Sequence, residues 1–142
     1  QINFISLVKV IQAVLPNLTA GEQSSIVLFS SVAASMGMPF HTSVAAAKGA
    51  IEGFAKALAA EYAPKIRVNV IAPSLTDTPL ADKFLNNETK QEKSAERHPL
   101  KRFGKPEDSA QMASFLLSDK SSWISGQIFH VDGGMSTLLV NG

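Results

Sequence analysis

Apolar residues recur at intervals of three and four over several long stretches of the chain, and each such stretch leads into a short, dense apolar run. The first, "INFISLVKVIQAVLPNL", reads as a helix over residues 3–16. It is apolar on most sides through Ile5, Leu7, Val8, Val10, Ile11, Val14 and Leu15, which suits burial against a sheet on one face and a partner on another. A polar link, "TAGEQSS", leads into "SIVLFSS", a run of the kind found in strands buried on both faces. Residues 43–61 repeat the helical spacing through Val44, Ala47, Ile51, Phe54, Ala55, Leu58 and Ala59, and "KIRVNVIAP" then forms a second buried-type strand stopped by Pro73. Prolines and "NNETKQEKSAER" make residues 74–104 a long excursion with one or two short helices. Pro106, Glu107 and Asp108 start a helix that runs to Leu117, because proline loses no needed N–H there and acids favour the positive end of the dipole. "GQIFHVDGG" supplies a third strand with a sharp Asp-Gly-Gly exit.

Helix followed by strand, three times over, is the rhythm of parallel crossover units. The expected class is α/β, the C-terminal half of a doubly wound parallel (Rossmann-type) sheet, with residues 1–142 as one partial domain entered mid-fold. Ligands in such sheets lie beyond the strand carboxyl ends, here Ser30-Ser31, Pro73-Ser74 and Asp132-Gly133. The glycine motif G-x-G-x-x-G, which holds a dinucleotide pyrophosphate in the opening half, does not occur, so that half is expected to lie outside this chain.

Composition narrows the function. With 45% hydrophobic and 18% charged residues the chain reads as soluble and globular, and a net charge of +1 without a basic run leaves no footprint for nucleic acid or an anionic membrane. No apolar stretch reaches the roughly 18 residues that a membrane span needs, and no charged leader is evident, so the expected location is cytoplasmic. Cysteine is absent, which removes disulfides and thiolate chemistry. His41, His98 and His130 are scattered without a ligand spacing, and no metal is expected.

The spacing from Ser31 to Lys48, followed by "VNVIAPSLTDTPL", "HPLKRFGKPED" and "ISGQIFHVDGG", resembles the C-terminal part of the short-chain dehydrogenase/reductase family, especially members similar to acyl-carrier-protein reductases. The likeness runs over essentially all 142 residues. It implies a catalytic set of Asn, Ser, Tyr and Lys, in which the Tyr precedes the Lys by four residues and follows the Ser by thirteen. On this sequence Asn3, Ser31 and Lys48 fall at the matching positions, and Val44 stands at the position of the Tyr. The resemblance also implies cofactor contacts at Pro73, Ser74 and Thr78, with Ser74 in place of the usual glycine, NAD or NADP as cofactor, and a homodimer or homotetramer built on the first two helices and the last strand.

Each candidate also has a purely structural use. Ser31 suits a turn cap, Lys48 a solvated face, Asn3 a helix kink or frayed end, and Thr78 a helix start. Valine cannot protonate the oxygen on which negative charge develops during carbonyl reduction, a role normally contributing roughly 10²- to 10⁴-fold. His41, three residues upstream, is the only local substitute for that acid, and the reading preferred for it is a partly exposed loop histidine that takes no part. Tyr62 is about 21 Å along the helix from Lys48 and cannot serve in the same subunit. Alanines 45, 46, 47, 50, 55 and 59, with Gly49 and Gly53, suit close helix contact, Asp132 suits a turn, and Trp123 and Phe103 suit a core or an interface. The expected function is NAD(P)-linked oxidoreduction of a small carbonyl or alcohol substrate; the alternative is a silent dinucleotide-binding or oligomerisation module on the same scaffold.

Overall fold

A computed structural model describes the backbone of residues 2–140 and the side chains of residues 4–140. Helix α1 (Ile2–Ala20), strand β1 (Ser24–Phe29), helix α2 (Thr42–Tyr62) and strand β2 (Ile66–Pro73) come first. Helices α3 (Asp82–Leu85) and α4 (Glu88–Glu96) lie in the excursion, followed by α5 (Pro106–Leu117) and β3 (Ile128–Val131). The three strands are parallel in the order β1-β2-β3, with Ser24 opposite Ile66 and Val70 opposite Ile128. The fold is the C-terminal part of a doubly wound α/β sheet.

Strand β2 is the axis of the molecule. Ile66, Val68, Val70, Ile71 and Ala72 are all at most 1% exposed. Val68 and Val70 meet Ile26 and Leu28 of β1 and Ile51, Ala55 and Leu58 of α2 in the main core, to which Ile11 of α1 adds. Burying a Val or Ile side chain contributes about 1.5–3 kcal/mol, so this one strand carries a large share of the apolar driving force. Two residues between these apolar positions are polar and bonded. Asn69 is fully buried; its Nδ2 donates to Ile124 O at 2.9 Å and its Oδ1 accepts from Gln127 N at 3.1 Å, which fixes the loop before β3. The Arg67 guanidinium donates to Leu116 O at 3.0 Å and Ser118 O at 3.1 Å, covering carbonyls that the end of α5 leaves without intrahelical partners.

Several expectations change on folding. Strand β1 is fully buried only at Ile26 and Leu28, while Phe29 is 42% exposed, because β1 pairs on one side only among the described residues. Helix α1 does not stop at residue 16 but carries Pro16 inside it and ends at Ala20. Trp123 is 99% exposed, so the core reading of that residue fails. Gly49 and Gly53 have no neighbour within 4 Å of an added Cβ, and the close helix approach they suggested is not made within this chain. Helices α1 and α2 instead meet through Phe4 and Phe54, edge to face at 5.8 Å.

The excursion opens and closes at one point. Gly104 N donates to Leu75 O at 2.9 Å, Asp77 N donates to Gly104 O at 2.9 Å, and a Cβ on Gly104 would lie 3.0 Å from Thr76 Oγ1. Immediately after this neck Asp108 secures α5. Its carboxylate accepts two hydrogen bonds from Arg102, at 2.6 and 2.9 Å, and one from Lys105 N at 2.7 Å. Those hydrogen bonds, Arg102 first and the Lys105 amide second, hold its pKa down at about 2. A depressed carboxylate contributes stability above the ordinary carboxylate range and loses it as pH falls towards the folded value. Asp108→Asn is therefore expected to lower unfolding free energy by about 1 kcal/mol at neutral pH, a figure kept small by solvent screening. The difference between the two proteins should shrink as pH falls from about 4 towards 2 in a series of denaturant titrations.

Candidate active site

Helix α2 lies over β1 so that its second turn faces the carboxyl end of that strand. Ser30 N donates to Ile71 O at 2.8 Å, extending the β1–β2 ladder by one residue, and the Ser30 hydroxyl is buried against α2, donating to Glu52 Oε1 at 2.6 Å. The Lys48 ammonium donates to Phe29 O at 3.1 Å, two residues before Ser31. The fold thus brings the Lys48 ammonium to the end of β1 from which Ser31 follows. Partial burial lowers the Lys48 pKa from its ordinary value, since desolvation disfavours the charged amine. Ser31 Oγ accepts from Ala33 N at 3.2 Å and caps the short 3-10 turn Val32–Ala34. The capping use of Ser31 is real, and it leaves the hydroxyl proton free to be donated elsewhere.

Val44 stands one helical turn before Lys48 and is 41% exposed, so it fills no core position. His41 occupies the N-cap position of α2 without a capping bond from its side chain. Its Nδ1 donates to Pro39 O at 2.7 Å, so in the neutral ring Nε2 is an acceptor and only the imidazolium has a second proton to give. Phe40, just before it, has φ 64° and is fully exposed, a left-handed conformation uncommon for a bulky residue. Asn3 lies in the described backbone of α1, but its side chain is outside the described residues.

The second group of candidates follows β2. Ser74 N donates to Val131 O at 3.2 Å, continuing the ladder to β3. The Ser74 hydroxyl lies 2.8 Å from His98 Nε2 and 3.1 Å from Met135 Sδ. Thr78 precedes the 3-10 turn Pro79–Ala81 without capping it, and its hydroxyl donates to Thr76 O at 3.4 Å. Asp132 is the turn residue expected: Gly134 N and Ser136 N each donate to it at 2.9 Å, and the Ser136 hydroxyl donates as well. Burial opposes its ionisation, but the Ser136 and Gly134 bonds outweigh that and lower its pKa. A cavity of about 550 Å³ joins Ser74, His98, Arg102, Gln111, Asp132 and Gly133. Among the described residues no group of His, Cys, Asp and Glu could hold a metal ion, and no helix is long and apolar enough to cross a membrane.

A family model described as enoyl-(acyl carrier protein) reductase matches residues 1–136. The chain belongs to the short-chain dehydrogenase/reductase family. It is 41% identical over 135 residues to a 3-oxoacyl-[acyl-carrier-protein] reductase of Thermotoga maritima, covering 94% of this chain and 54% of that protein. It is 39% identical over 132 residues to the inactive 2-(S)-hydroxypropyl-CoM dehydrogenase 2 of Xanthobacter autotrophicus, covering 89% of this chain and 57% of that one. The solved structure of a gluconate 5-dehydrogenase from Burkholderia cenocepacia in complex with NADP and tartrate superposes with a TM-score of 0.90 at 28% identity, over 96% of this chain and 54% of that one. The chain therefore spans about half the length of the curated relatives it matches.

Within this short-chain dehydrogenase/reductase scaffold, sequence reasoning missed the buried Ser30–Glu52 pair and the Ser74–His98 pair. Ser30 and Glu52 are joined only by packing α2 on β1, and Ser74 and His98 only by the return of the excursion. A pattern signal exists for neither. The Lys48 environment yields a direct check. An amine whose pKa is depressed on folding carries a cost while protonated, so stability rises with pH between the folded midpoint and the ordinary lysine value of about 10.4. NMR titration of the Lys48 side chain is expected to give a midpoint below that value; a midpoint at or above it would show that Lys48 is solvated.

Proposed function

We propose that this chain supplies the catalytic half of an oxidoreductase that uses NAD or NADP to interconvert a small carbonyl compound and its alcohol. The observation that carries the reading is the Lys48 ammonium bonded to Phe29 O at the carboxyl end of β1, two residues before Ser31, where doubly wound folds take their ligands. The donor chemistry fits the nicotinamide end of the cofactor: an ammonium suits ribose hydroxyls, and Pro73, Ser74 and Thr78 follow the neighbouring strand end. A pyrophosphate cradle is not part of this sequence, so most of the affinity for the dinucleotide resides in the preceding half of the fold. The bound nicotinamide supplies the hydride.

This chain's residues then act on the substrate oxygen. Ser31 donates its hydroxyl proton in a hydrogen bond to that oxygen, and Lys48 stabilises the negative charge that develops there. Asn3, at the matching position on α1, belongs to the same set. Val44 occupies the position of the family's tyrosine and donates nothing. His41, as the imidazolium, is the residue on this segment with a proton to give from Nε2. A second reading is a silent cofactor-binding or oligomerisation module. It is favoured by Val44 itself and by the similarity to a relative named as inactive.

In the chain extended by its missing half, Val44→Tyr is expected to raise the rate of carbonyl reduction about 10²-fold, because a phenol there gains the Lys48 charge and the Ser31 hydrogen bond. Lys48→Ala should weaken cofactor binding in either background. Turnover in the parent that vanishes in His41→Ala, without gain from Val44→Tyr, would transfer the acid role to His41; bound cofactor with no turnover in any variant would establish the silent module.

Assembly belongs to the same reading. Ile5, Val10 and Val14 of α1 are 47%, 62% and 42% exposed, and Gly49 and Gly53 of α2 face open space. These faces suit a homodimer or homotetramer. Sedimentation at micromolar concentration is expected to show an oligomer, and a stable monomer would refute the assignment.

A further inference from the structure

Ser74 stands among the cofactor contacts proposed above and His98 has no role there, yet their arrangement is that of a nucleophile and its base. His98 is 3% exposed. Its Nδ1 lies 2.7 Å from Ser94 O, and a carbonyl can only accept, so Nδ1 carries the proton and the ring orientation is fixed. In the neutral ring Nε2 is then an acceptor 2.8 Å from the Ser74 hydroxyl, whose single proton has Met135 Sδ, at 3.1 Å, as its other acceptor. A hydroxyl bonded to an imidazole, with that imidazole oriented by a third group, is the general signature of an activated serine. Here a backbone carbonyl orients the ring in place of a carboxylate. Asp132, close by, is committed to Ser136 and Gly134 and is not the orienting group.

The pair also has space in front of it. Ser74 and His98 both line the cavity of about 550 Å³, a size suited to a small ligand. Gly133 lines it too, and a Cβ built on Gly133 would lie 3.6–3.7 Å from His98 Cβ and Cδ2, which places that backbone against the imidazole. Gly133, at φ 63°, Gln111 and Arg102 line the same cavity and carry N–H groups, the chemistry that a developing oxyanion needs. The Ser31–Lys48 pair lines no part of this cavity.

We propose that Ser74 and His98 form a second site that hydrolyses short-chain carboxylic esters. Ser74 Oγ adds to the ester carbonyl while its proton passes to His98 Nε2. The carbon–oxygen bond to the alcohol breaks, and the alcohol leaves with that proton. Water then attacks the acyl-serine, giving its proton through His98, and the carboxylic acid departs with Ser74 and His98 restored. No oxidant, reductant or nicotinamide enters; because Ser74 is also a cofactor contact in the oxidoreductase reading, the two are separated by assaying hydrolysis without nicotinamide.

The test uses the 142-residue chain alone, without nicotinamide. A fluorophosphonate probe is expected to label Ser74, located by peptide mass spectrometry, and p-nitrophenyl acetate to be hydrolysed with saturation. Ser74→Ala should remove the label and lower hydrolysis at least about 10²-fold, the span of general base assistance. His98→Ala should lower both, and added imidazole should restore part of the rate, which a merely structural histidine would not show. Ser74→Gly serves where Ser74→Ala does not fold. Absence of label and of hydrolysis in the folded parent chain, label on another residue, or an undiminished rate in the folded Ser74 variants would overturn the proposal.

Discussion

Everything functional in this molecule depends on β2 being sealed between its two neighbours and between two helical layers. Parallel strands that share a register end together, so the pairing of Phe29 with Ile71 and of Pro73 with Val131 brings three carboxyl ends to one edge. The side groups at that edge are set by what the strand buries below it. A slip of one residue would turn Val68 and Val70 away from α2 and bring Arg67 and Asn69 into the apolar core. Such a slip costs several buried side chains at about 1.5–3 kcal/mol each, which is why the register is unambiguous.

The apolar side of β2 positions the lysine. Ile51, Ala55 and Leu58 of α2 are held against Val68 and Val70, and Lys48, one turn earlier, is thereby carried to the level of Phe29 O. The polar residues position the other pole. Asn69 holds the loop at Ile124 and Gln127, and Arg67 holds the end of α5, so β3 arrives in register and its Asp-Gly-Gly exit lies beside His98. One strand thus serves two separate groups of side chains through its two kinds of residue.

The elements were legible because their signals are local. Pro106 with the acids after it fixed the start of α5, and the spacing of Ile51, Ala55 and Leu58 fixed α2. Lys48 and Ser31 were named from the fixed spacings of a resemblance; one helix carries the first and the stretch after β1 the second, and their catalytic roles belong to the proposed function. What failed was whatever depends on neighbours. Whether β1 is buried on both faces turns on a second pairing partner, and composition does not reveal one. Pro16 lies on the exposed side of α1, while Leu15 and Leu18 around it pack against the core and carry the helix on to Ala20. The Ser74–His98 bond joins residues on either side of a closed excursion, and only the neck at Thr76 and Gly104 makes them meet.

Val44 is the residue for which packing offers no account. It is 41% exposed, and a β-branched side chain is a poorer helix former than the alanines beside it by a few tenths of a kcal/mol. A side chain this exposed is one that the fold tolerates in other forms, a larger aromatic among them. On the proposed reading, the consequences of Val44 are chemical and lie on the Lys48 side of the strand ends. The scaffold that presents Ser31 and Lys48 is held by β2 and α2, and it stays in place whichever residue stands one turn before the lysine.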